Sequence, residues 1–107
     1  MSEFTDYLSE LLADFGEIHA RKMFGGYGIY HQGLMFGLVA DNTLYLKADA
    51  QSAPAFTARG LPAFMYQKGQ RRVQMSYYQA PEEALDHPEE MRTWAQLAYD
   101  AALRNRR

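Results

Sequence analysis

Few residues of this chain have the type and spacing that chemistry requires. Gly25, Gly26 and Gly28 cluster around Tyr27, but phosphate-cradling glycines need GxGxxG or a P-loop ending in GK[ST]. Here the spacing fails and no GK[ST] follows, so the cluster reads as a bend, a bulge or a close backbone approach. His19, His31 and His87 fall on three different predicted elements, and a metal site would need carboxylates brought in from elsewhere. The chain has no cysteine, which removes disulfides, thiol nucleophiles and thiolate ligands together. No serine stands in a GxSxG context. Glu82-Glu83 and Glu89-Glu90 each open a predicted helix, where acidic residues complement the helix dipole rather than act as an acid–base pair. No catalytic residue, cofactor site or metal site is predicted.

Two basic groups remain. Arg21-Lys22 adjoins the glycine bend, and Lys68, Arg71 and Arg72 mark a hairpin. Brought together with the C-terminal Arg104, Arg106 and Arg107, they would make a modest anion-binding patch. Left apart, they are solubility charges on an exposed tip. With a net charge of −2, the chain as a whole has no pull toward nucleic acid.

The elements that would position these groups are organised around residues Arg21–Lys47. Gln32-Gly33 separates the runs Tyr27–His31 and Leu34–Val39, and Asp41-Asn42 separates the second run from Thr43–Lys47. Both dipeptides tolerate positive φ, so the stretch predicts three strands joined by two-residue hairpin loops. Strict alternation places Leu34, Phe36 and Leu38 on one face with Leu44 and Leu46, under helices. The other face then holds Tyr30, Met35, Val39 and Tyr45. This mixed face is either covered by the rest of the chain or open as a partner or homodimer surface, since tyrosine suits interfaces.

Before the meander, Ser2 caps a helix carrying Phe4, Leu8, Leu11, Leu12 and Phe15, with Gly16 as its stop; Ile18–Met23 leads in as a first strand. After it, Ser52 is placed as the cap of a short helix through Ala53, Pro54 and Phe56, closed by Gly60. Leu61–Tyr66 and Arg72–Gln79 follow as a second hairpin around the polar link 67–71. A short acidic helical turn, Glu82–Leu85, precedes a last helix signalled by Asp86-His87-Pro88, which buries Met91, Trp94, Leu97, Ala98 and Ala101. The fold class expected is α+β: an antiparallel sheet of about five to six strands, covered on one face by the N- and C-terminal helices.

Size and composition agree. A chain of 107 residues, 48% of them hydrophobic, makes one domain with one core. The acidic start MSEFTDYLSEL is no signal peptide, and no apolar run nears the ~20 residues of a membrane span, so a cytoplasmic protein is expected.

The residues also carry a resemblance. Arg21-Lys22-Met23-Phe24-Gly25-Gly26-Tyr27-Gly28-Ile29-Tyr30, Gly33-Leu34-Met35-Phe36-Gly37-Leu38 and Leu44-Tyr45-Leu46-Lys47 resemble the N-terminal domain of the TfoX/Sxy family. Pro54, Phe56, Gly60, Phe64 and Tyr66 continue it, as do Val73-Gln74-Met75-Ser76-Tyr77-Tyr78 and Pro81-Glu82-Glu83-Ala84-Leu85. The resemblance implies a single TfoX N-terminal-like domain over 1–107 and a link to natural competence. Family members there act with a cyclic-AMP-responsive activator at a subset of promoters. Competence regulators of the family carry a further helical domain, so this chain is expected to resemble the stand-alone versions. The family offers no catalytic residues.

Three functions from different classes stay open at this point. A regulatory adaptor would use the Tyr30/Met35/Tyr45 face. A small-ligand or nucleic-acid module would need the cations clustered. An enzyme of unknown type would need a pocket with convergent polar groups.

Overall fold

The structure, a computed structural model, describes residues 2–23 and 25–106; Phe24 of the glycine motif and Arg107 of the basic C-terminus lie outside the described residues. Helix α1 spans Glu3–Leu11. Ser2 caps it reciprocally: its Oγ accepts from the Thr5 N–H at 3.1 Å, and Thr5 Oγ1 accepts from the Ser2 N–H at 3.2 Å. The helix proper ends before the Phe15–Gly16 stop that periodicity suggested. Leu12 and Phe15 continue as turns, yet both still pack on the core, and Gly16 N–H bonds back to the Leu12 carbonyl at 2.9 Å.

Six strands follow: β1 His19–Met23, β2 Gly26–His31, β3 Leu34–Ala40, β4 Thr43–Lys47, β5 Ala63–Lys68 and β6 Arg71–Gln79. They form one antiparallel sheet in the order β1-β2-β3-β4-β6-β5. The hairpin loops carry the left-handed residues their sequences favour, with φ of 50° and 80° at Gln32 and Gly33, and 54° and 55° at Asp41 and Asn42. The second hairpin is tighter than the polar link 67–71 suggested. Pairing runs out to Lys68 and Arg71, and the chain turns on Gly69-Gln70. Its first strand starts at Ala63 rather than Leu61.

A bulge changes which residues face the helices. Ile29 pairs with Gly37 but Tyr30 pairs with Met35, which leaves Phe36 as an extra residue on β3. Side chains before it keep the expected alternation, and those after it are inverted. Leu34 and Phe36 face the core, but so does Val39, while Leu38 goes with Met35 to the opposite face. The expected placements of Leu38 and Val39 are therefore exchanged, because one inserted residue flips a period of two.

All helices lie on one face: α1, α2 (Ala53–Thr57), a 3-10 turn at Glu82–Asp86 and α3 (Pro88–Asn105). Ile29, Phe36, Leu44 and Leu46 are fully buried there with Leu8, Leu12 and Met91. Ala95, Ala98 and Ala102 form the stripe of α3 that approaches the sheet; Trp94 and Leu97 are half-buried at its sides. Phe56 closes the far end, its ring 5.4 Å from that of Tyr78 and 5.1 Å from that of Trp94.

Ser52 does not cap α2 as its position suggested. Its hydroxyl instead donates to Asp49 Oδ1 at 3.1 Å, and Asp49 Oδ1 also accepts from the Gln51 and Ser52 N–H groups. Asp49 thereby orders the loop, as Asx turns do. It also receives Arg104 Nε at 2.7 Å and Asn105 Nδ2 at 3.1 Å, which ties the end of α3 to the β4–α2 loop.

Candidate partner-binding groove

With every helix on one side, the other face of the sheet is left without a helical cover among the described residues. Its side chains follow from strand alternation. On β6, Val73, Met75 and Tyr77 point to this face while Gln74 and Ser76 point away; on β5, Phe64, Tyr66 and Lys68 do so while Met65 and Gln67 point away. Beyond the bulge β3 contributes Leu38, and before it Met35. The sheet is curled enough that Met23 of one edge strand and Phe64 of the other border the same groove, about 660 Å³ in volume.

The groove is apolar along its floor and carries cations at both ends. Leu38 is 6% exposed and Tyr77 8%, so the floor is as dry as much of the core. Lys68 and Arg71 sit opposite each other at the hairpin tip, both exposed. No Asp or Glu lines the groove, and among the described residues no carboxylate forms an ion pair with Lys68 or Arg71. At the other end Lys47 Nζ lies 5.2 Å from the centroid of the Tyr77 ring. Burial, with the neighbouring Tyr30 adding, pushes the Tyr77 hydroxyl up to about 12, so it stays protonated through the physiological range.

The interface residues read from the sequence fall on this face unequally. Met35 lines the groove. Tyr45 packs its ring 5.0 Å from Phe64. Tyr30 lies further along, under the Arg21 guanidinium at 5.2 Å from the ring centroid. Val39, expected with them, is in the core on the other side. The cations divide as well. Arg21, Lys68 and Arg71 are on the groove face, whereas alternation turns Lys22 and Arg72 the other way. Arg104 is held by Asp49 and joins neither group.

The glycines are structural in two distinct ways. Gly25 has φ of +77°, the left-handed region that glycine occupies without strain. A Cβ on Gly26 would lie 1.9 Å from the Val39 carbonyl oxygen, so the close approach of β2 to β3 excludes any side chain. Lys22, Met23, Gly25, Gly26 and Tyr27 border a second, more open depression that shares Met23 with the main groove. The histidines are apart: His31 Nδ1 donates to the Glu17 carbonyl at 2.8 Å and His87 Nδ1 to the Glu83 carbonyl at 2.6 Å. Among the described residues no three His, Asp or Glu side chains gather as a metal site.

The groove residues that sequence reasoning missed are Met23, Leu38, Phe64, Tyr66, Val73, Met75 and Tyr77. The signal was present in β6 as the apolar alternation Val73-Met75-Tyr77. Which face it served depended on the pairing of β6 with β4, which no local pattern encodes.

Comparison with known proteins places this architecture. Residues 10–102 match the model of the TfoX N-terminal domain. The chain is 32% identical over 98 residues to Protein Sxy of Escherichia coli (strain K12), covering 91% of this chain and 46% of that protein. It is 27% identical over 82 residues to DNA transformation protein TfoX1 of Aliivibrio fischeri, covering 77% of this chain and 39% of that protein. The chain thus spans less than half the length of the curated relatives it matches.

Proposed function

Because the chain belongs to the TfoX N-terminal domain family, we propose that it is a non-catalytic regulatory adaptor, linked to transcriptional control of competence-type genes through a protein partner. The observation that carries this reading is the uncovered apolar groove. Its walls, Met23, Met35, Phe64, Val73 and Met75, are only half-buried and no helix among the described residues covers them, and a concave apolar site of this kind is where a partner's apolar side chains would bind. The naming of a relative for DNA transformation supports the direction of the regulation. A cyclic-AMP-responsive activator, which the family resemblance implies, is the partner proposed. Nucleic acid itself suits the groove poorly, because the lining is mostly apolar and the cations are split between two faces.

The test is affinity capture of the tagged chain from its own cells after nuclease treatment, beside a Met35→Glu variant. Recovery of a transcription activator or polymerase subunit by the wild type, lost in Met35→Glu, is expected. Capture that disappears with nuclease, or that ignores the substitution, overturns the reading.

A further inference from the structure

We infer that the groove takes an acidic amphipathic helix of the partner, its apolar face on the methionine-lined floor and its carboxylates over Lys68 and Arg71. This rests on the adaptor reading and names the chemistry of what the adaptor holds.

Dimensions come first. From Arg71 to Tyr77 the groove follows β6 for six residue steps, roughly 20 Å at strand rise. A helix of about 13 residues has that length. A helix with side chains is about 10–12 Å across, so a groove of about 660 Å³ open on its outer side takes one face of it and leaves the rest in water. That is the helix-in-groove mode, which reads anchors at i, i+3, i+4 and i+7.

The lining chemistry points the same way. Met23, Met35 and Met75 are unbranched and repack around apolar side chains of varied shape, as surfaces that take amphipathic helices do. The charge is one-sided: Lys47, Lys68 and Arg71 flank the groove and no carboxylate lines it, although the chain is acidic overall. Such a rim favours an acidic visitor and repels a basic one. A second copy of this chain is a poor source. Its acidic amphipathic helix α1 already buries Leu8 and Leu11 in its own core.

The probes are three labelled peptides of about 14 residues, capped at both ends. One has leucines on a single helical face and glutamates flanking it, the second has lysine in place of every glutamate, and the third scrambles the first. Anisotropy titrations with the full chain at about 150 mM salt are expected to rank the glutamate peptide at least about tenfold tighter than the other two. Lys68→Glu with Arg71→Glu changes only exposed side chains. It should reverse the preference toward the lysine peptide. Methyl resonances of Met23, Met35 and Met75 should move on binding.

Equal binding of the glutamate and lysine peptides, or shifts confined to other methionines, overturns the inference. So does a dimer through this face that the glutamate peptide fails to dissociate. The two readings fail separately. If the peptides do not bind while nuclease-resistant capture still depends on Met35, the adaptor stands and its partner has another chemistry. If the glutamate peptide binds but capture yields no regulatory protein, the groove chemistry stands and the adaptor reading falls.

Discussion

Gly26 and Gly28 stand two residues apart on β2 and face different neighbours. A methyl group on Gly26 would meet backbone, the Val39 carbonyl oxygen, which cannot move without shifting β3. On Gly28 it would meet side chains only, the thioether sulfurs of Met23 and Met35 at 2.7 and 3.2 Å, which can rotate away, and the edge of the Tyr30 ring at 3.0 Å, which must give slightly. Gly26→Ala is expected to cost about 3 kcal/mol or more in denaturant melts, and Gly28→Ala less than about 1 kcal/mol. Equal losses would place the close approach elsewhere. Asp49 is the residue where pH enters. The Arg104 guanidinium holds its carboxyl well below the usual carboxylate range against desolvation, and Ser52 and Asn105 add to this. A folded-state value below the unfolded one stabilises the fold at pH above the unfolded value, and that stabilisation is lost as pH falls toward the folded value. Asp49→Asn should therefore lower the melting temperature at pH 7. The gap to wild type should narrow once pH drops below about 4. A gap that is constant from pH 7 to pH 2 would mean that the ion pair does not contribute.

At the scale of elements, the bulged strand and the second hairpin behave as opposites. β3 is buried on both faces through most of its length, with Phe36 fully enclosed by ring contacts to Phe15 and Tyr99 at 5.2 and 6.0 Å. Phe36→Ala should cost ~3–5 kcal/mol, the transfer and cavity terms together. A loss below about 1 kcal/mol would place Phe36 outside the core. The β5–β6 hairpin extends past the helices, so Met65, Gln67, Arg72, Gln74 and Ser76 are exposed on the helical side of the sheet. Few apolar contacts hold its outer half. Its amides from Tyr66 to Val73 should exchange at least about tenfold faster than those of β3, as weakly packed units do. Exchange slowed in those amides by the glutamate peptide would show the hairpin becoming ordered as one wall of the groove.

For the molecule as a whole, charge decides what it can do with DNA. Thirteen Asp and Glu outnumber eleven Lys and Arg, and the basic residues near the sheet point to two different faces. Binding that neutralises Z phosphates weakens with salt at a slope of about −0.9Z, so a handful of contacts gives little affinity at about 150 mM salt. Titration of labelled duplexes by this chain is expected to show weak binding without sequence preference, or none. Tight, sequence-selective binding would move the nucleic-acid function ahead of the adaptor. Among the described residues no helix is long and apolar enough to cross a membrane.

The sequence by itself determined the local elements, because their causes are local. Ser2 starts a helix, Gln32-Gly33 and Asp41-Asn42 turn hairpins, and His87-Pro88 opens α3. It also determined the family, since the motif order runs through nearly the whole chain. Tertiary structure alone decided which side chains share a face. The register between β2 and β3 makes Phe36 an extra residue, and that exchange sends Leu38 to the groove and Val39 to the core. The pairing of β6 with β4 then lays Val73, Met75 and Tyr77 beside them, and the curl of the sheet brings in Met23 from the far edge. Alternation has a period of two, so it assigns a face only relative to a neighbour. Alternation alone carried Leu34, Phe36, Leu44 and Leu46 to the right face, but beyond the bulge it reversed Leu38 and Val39.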